Sequence, residues 1–162
     1  APVTGARGQA AAAPPPVTTP LPPSAYLADI RQDGVSVYDN DLVIGSQAAG
    51  PLDVIVKTDG GTIDGSVFGT DRKPVASGIV VVLIPPESRR QNPALYKSVR
   101  TDAQGHFVMN AVPPGAYSLF SWETVKPGAY QNADFLRQYE GRGTPVTITA
   151  GSKGSAEVTL IK

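Results

Sequence analysis

The chain holds a single imidazole, His106, four residues after Asp102. A hydrolase would need that ring as its general base, with a carboxylate orienting it and a nucleophile in reach. No cysteine exists to be that nucleophile, and no G-x-S-x-G elbow precedes the histidine. Placed directly after a turn and before Phe107, His106 reads as an outward-facing strand residue. No catalytic residue is assigned, and the chain is not expected to be an enzyme.

Metal and cofactor chemistry have equally little to work with. Without cysteine there is no thiolate zinc site, iron–sulfur cluster or disulfide framework. The carboxylates Asp29, Asp33, Asp39, Asp41, Asp59, Asp64, Asp71 and Asp102 stand mostly beside Gly, Asn or Pro, where an Asp side chain bonds nearby backbone N–H groups. Asp39-Asn40-Asp41 offers oxygen ligands for calcium but lacks the spaced loop and closing glutamate of a recognised site. No metal and no cofactor are expected.

Flat rings beside polar groups can bind sugars. Trp122 next to Glu123, Tyr130, and Tyr96 with the loop Glu87-Ser88-Arg89-Arg90-Gln91-Asn92-Pro93 are the candidates for such a platform. The competing use of the same rings is as core, since one Trp and four Phe leave little else to fill it.

These side chains need a scaffold, and the composition dictates its kind. The 162 residues include 17 Gly and 16 Pro, punctuation too frequent for long helices. Lys and Arg number 14 and Asp and Glu number 14, so no concentrated positive field exists for nucleic acid. The longest apolar run, Ile79 to Ile84, is far short of the ~20 residues of a membrane-spanning helix. The chain starts at Ala1 with no basic-then-apolar leader, which fits a mature secreted product or a fragment of something longer.

Residues 1–24, with seven prolines and no aromatic ring, predict an extended Pro/Ala-rich arm. From Tyr26 the texture becomes short alternating runs: YLADI, VSVYDNDLVI and LDVIVK. Residues 58–162 then supply seven strands in TIDGSVFG, GIVVVLI, KSVRT, HFVMN, AYSLFSW, TPVTIT and SAEVTLI, the count of a small sandwich. Between the fifth and sixth, Asn132 as N-cap, Asp134 in the first turn and Gly141 at the end predict one short helix with Phe135, Leu136 and Tyr139 on one face.

An internal repeat divides the chain. Leu21-Pro22-Pro23-Ser24-Ala25-Tyr26 parallels Val112-Pro113-Pro114-Gly115-Ala116-Tyr117 at an interval of 91 residues, and a Pro-led strand follows each, from Pro51 and from Pro145. Residues 25–57 thus read as the back half of a repeat and 58–162 as a whole one. Strands without companions expose edges and one apolar face, so they must borrow cover from their own domain or from a neighbouring copy. Leu42, Val43, Ile44, Leu52, Val54 and Val56 are the candidates for self-association. So is the outward side of Ile79 to Ile84, namely Val80, Val82 and Ile84, unless the helix face covers it.

Gly65-Ser66-Val67, Asp71 to Pro74, Thr101-Asp102-Ala103-Gln104-Gly105-His106-Phe107 and Val112 to Leu119 resemble the carboxypeptidase regulatory-like domains of the transthyretin-like, seven-stranded sandwich class. The resemblance covers residues 62–122. It implies an all-β, immunoglobulin-like or transthyretin-like fold in a non-catalytic structural or interaction module of secreted and cell-surface bacterial proteins. The stretch from Gly115 through Tyr130 is also similar to collagen-adhesin B-type repeats, some of which carry a Lys-to-Asn isopeptide crosslink. Here Ser121 occupies the position of the acid, and residues 144–162 contain no Asn or Asp, so no crosslink is expected. The expected partners are other copies of the chain, neighbouring repeats of a parent protein or carbohydrate. The reading is therefore a self-associating extracellular module, with a carbohydrate-binding or adhesive module as its alternative.

Overall fold

The computed structural model of the protein describes residues 19–40, 45 and 50–162. Most of the Pro-rich arm, and Leu42, Val43 and Ile44, lie outside the described residues.

The strands between Gly61 and Ile161 form the seven-stranded β-sandwich. Its strands are β4 (Gly61–Phe68), β5 (Val80–Ile84), β6 (Lys97–Arg100), β7 (His106–Val112), β8 (Gly115–Trp122), β9 (Thr144–Ile148) and β10 (Lys153–Ile161). One layer is β7-β4-β10, with β4 and β10 parallel from Thr62 opposite Lys153 to Phe68 opposite Thr159. The other is β6-β5-β8-β9, antiparallel throughout. The two are joined because the last residues of β10, Leu160 and Ile161, leave β4 and pair with Ser121 and Trp122 of β8.

Alternation decides the core. Ile63 and Val67 of β4, Val81 and Leu83 of β5, Phe107 and Met109 of β7, Tyr117 and Leu119 of β8 and Val158 of β10 meet between the layers. Each fully buried aliphatic or aromatic side chain contributes roughly 1.5–3 kcal/mol relative to exposure. The entry to β7 is a tight hairpin: the Asp102 carboxylate accepts from the Gln104 and His106 amides at 2.9 Å each, and Gly105 takes φ +76°. The glycine is required twice over, because a Cβ there would lie 2.9 Å from the Val75 carbonyl oxygen.

β5 is apolar on both faces, and its outer face forms a second core. Val82, Ile84, Phe120, Trp122, Leu136 and Ile161 are buried together under Phe135, Tyr139, Tyr130 and Tyr96. The helix that supplies the cover, α1 (Ala133–Arg137), starts as expected: the Asn132 side chain accepts from the Asp134 and Phe135 amides. It is a single turn, ending at Gln138 before further turns carry the chain to Gly141 at φ +80°.

The earlier strands make a separate three-stranded sheet, ordered β2-β1-β3, from β1 (Tyr26–Gln32), β2 (Val35–Ser36) and β3 (Leu52–Lys57). Of the expected long second strand VSVYDNDLVI, only Val35–Ser36 is strand among the described residues, and residues 41–44 lie outside them. The Asn40 amide bonds the Val37 carbonyl in a turn that carries Tyr38 and Asp39 toward the sandwich instead of along the sheet.

Candidate functional site

His106 stands on the outer face of β7, 2.6 Å from Asp64 Oδ1 through Nε2 and 3.7 Å from Asp102 Oδ2 through Nδ1. The carboxylates flank opposite ring nitrogens, so they cannot close around one ion. Backbone donation from His106 and Gln104 holds the Asp102 carboxyl below its ordinary range. Its work is the hairpin. Among the described residues, no group of three or more His, Asp or Glu is placed to hold a metal.

Trp122 is withdrawn from any exposed platform. Trp122 is only 2% exposed, stacked on Phe120 at 5.4 Å and met edge-on by Tyr139 at 5.5 Å. Tyr96 and Tyr130 are half-buried with centroids 6.3 Å apart, and the Tyr96 hydroxyl donates to the Arg90 carbonyl. The rings fill the second core because β5 and β8 present apolar side chains outward that nothing else covers. For the same reason Val82 and Ile84 are buried within the chain and Val80 packs at their margin, so these three do not offer a free surface for self-association.

The polar loop expected as a ring-side platform has a different task. Arg89 grips Asp39 with two nitrogens, Nε at 3.1 Å and Nη2 at 3.0 Å from Oδ2. Asn92 donates from Nδ2 to the Tyr38 carbonyl at 2.7 Å and to Asp39 Oδ1 at 3.0 Å, while its Oδ1 accepts from Ala94. Tyr38 packs against the main core and donates its hydroxyl to the Leu27 carbonyl. Its neighbour Tyr117 donates to the Pro113 carbonyl, and burial pushes that phenol up to about 12. A second tie runs through Ser24, whose hydroxyl donates to the Thr58 carbonyl and whose carbonyl accepts from Gly60. Nothing local in the sequence marks this clamp. Opposite charges 50 residues apart carry no local pattern, and in sequence Asp39 reads with Asn40 and Asp41 as an oxygen ligand.

The clamp holds the small sheet by one face and leaves the other open. Register pairs Leu27 with Val56, Ile30 with Val54 and Gln32 with both Leu52 and Val35, so these residues share a face. On it Val35 is 68% exposed, Val54 63%, Leu52 48% and Val56 40%. β3 is also the end strand of its sheet, with no strand beyond it among the described residues. An edge of this kind carries unpaired backbone donors and acceptors and accepts another strand. Of the residues expected to self-associate, Leu52, Val54 and Val56 are therefore together and exposed.

No family model matches the chain, and no curated protein matches it. Parts of several solved structures are similar to it. The Bacillus anthracis TIE protein is 15% identical over 67% of this chain and 19% of its own, with a TM-score of 0.40. A minor pilin of Streptococcus agalactiae is 22% identical over 61% of this chain and 43% of its own, at 0.39. A candidate carbohydrate-binding protein of Pseudomonas aeruginosa is 16% identical over 61% of this chain and 87% of its own, at 0.38. The chain thus spans less than half the length of the first two.

Proposed function

We propose that the chain is a non-enzymatic structural and interaction module of a secreted or cell-surface protein that self-associates by strand pairing. The observation that carries this is the small sheet: β3, whose outer edge has no partner strand among the described residues, beside an exposed apolar face of Val35, Leu52, Val54 and Val56. Burying such a face is worth about 25 cal/mol per Å2, and a strand added at the edge satisfies its backbone groups at the same time.

Further support comes from the hairpin and the strand entry that prompted the resemblance to carboxypeptidase regulatory-like domains. Asp102 is spent on its turn, and Tyr117 is spent on the Pro113 carbonyl. Both motifs build the fold, which fits a module that works by contact. A surface location follows from the same reading and from the Thr-, Gly- and Pro-rich, cysteine-free chain.

Light scattering coupled to size exclusion tests the proposal. The expected mass exceeds the 16.8 kDa of one copy and rises with concentration, and negative-stain images show whether the product is extended. A single 16.8 kDa species at every concentration overturns it.

A further inference from the structure

We infer that β3 pairs antiparallel with β3 of a second copy in one register, with the two-fold axis at Ile55, so that two three-stranded sheets join into one of six. The inference rests on the self-association proposed above and names its contact. β3 reads Leu52-Asp53-Val54-Ile55-Val56-Lys57. Turned about Ile55, it sets Asp53 opposite Lys57 of the second copy, Lys57 opposite the second copy's Asp53, and each of Val54 and Val56 opposite the other. Every pair is complementary on its own face: two ion pairs beside Ile55 on the clamped side, two valine pairs on the open side. Shifting by one residue places Lys57 against Leu52 and Asp53 against Val56, and the match is lost.

The charges are free to make these pairs. Neither Asp53 nor Lys57 takes part in an ion pair or a side-chain hydrogen bond among the described residues, and both are exposed. Charges at an edge normally discourage pairing. Among the registers that keep the two open faces on one side, only this one sets each Asp53 opposite a Lys57. The joined sheet also continues the apolar face of Leu27, Ile30, Val54 and Val56 across the two-fold, doubling it on one side. A contact of this symmetry closes on itself, so it yields a two-copy unit, and a fibre would need a second, separate contact.

Charge-altered chains test the register. Lys57→Asp sets two Asp–Asp pairs across the contact, Asp53→Lys two Lys–Lys pairs, and each variant alone should dimerise roughly tenfold more weakly than the unaltered chain. Mixed together, the two variants make Asp–Lys pairs at both positions and should dimerise with each other. Circular dichroism confirms that each remains folded. Because the chain has no cysteine, Ile55→Cys should form a disulfide between copies under mild oxidation, whereas Val54→Cys, set against Val56 of the other copy, should not. If the unaltered chain dimerises but the charge variants match it and Ile55→Cys stays reduced, this register is wrong and the broader self-association stands. A chain that never exceeds one copy overturns both.

Discussion

Trp122 shows how a residue type that suits ligand binding is claimed by packing. Its indole is stacked on Phe120 and closed over by Phe135 and Tyr139, so truncation leaves a cavity in the second core. Trp122→Ala is expected to lower stability by about 3–5 kcal/mol, read as a shift in the urea midpoint. Tyr117 makes a prediction about alkali. Its phenol ordinarily titrates near 10 and is held up to about 12 in the fold, so the folded state keeps that proton more tightly than the unfolded chain does. The resulting stability is fully present below about pH 10 and is lost as pH climbs toward 12, a loss of about 2–3 kcal/mol. Urea titrations at pH 8 and pH 11.5 should show that fall, and Tyr117→Phe should reduce it while costing about 1 kcal/mol at pH 8. At this scale the sequence was a good guide to backbone roles. Asp102, Gly105 and Asn132 do what their neighbours imply, because turns and caps are settled by residues within four positions of each other. For the rings it offered core and platform as competing uses, because whether a Trp faces water depends on segments distant in the chain.

Among the elements, the small sheet and α1 solve the same problem differently. β5 and β8 have an apolar outer face, and α1 with its flanking tyrosines closes it. β1 and β3 are antiparallel like the β8–β9 pair, though in a different register, yet among the described residues no counterpart of α1 lies on their open face. What attaches this sheet is chiefly the half-buried Arg89–Asp39–Asn92 clamp and the Tyr38 ring. Asp39→Ala leaves Arg89 and Asn92 short of partners and should weaken the attachment by about 1–3 kcal/mol. Hydrogen exchange should then quicken through residues 26–57 and stay unchanged in β4 and β8. Equal acceleration everywhere would show that the clamp supports the sandwich as much as the sheet.

For the whole molecule, the division of burial sets what can fold unaided. Every large apolar side chain that is fully buried, among the described residues, lies between Ile63 and Ile161. The small sheet contributes partial burial and hydrogen bonds only. A chain of residues 58–162 is therefore expected to melt cooperatively, while residues 19–57 alone show no cooperative transition by circular dichroism. Loss of cooperativity in the longer piece would mean that the small sheet completes the core at Tyr117.

Seven strands of the sandwich, their order along the chain and the capped helix were legible because period-two alternation, turn residues and caps are local signals. The turn after β2, the burial of Trp122, Val82 and Ile84, and the use of Asp39 were decided only in three dimensions. Each depends on which distant segment arrives to desolvate a surface or to neutralise a charge. An alternating pattern states that one face of a strand must be hidden, and only the folded arrangement shows which faces have found their cover and which, as on β3, remain open.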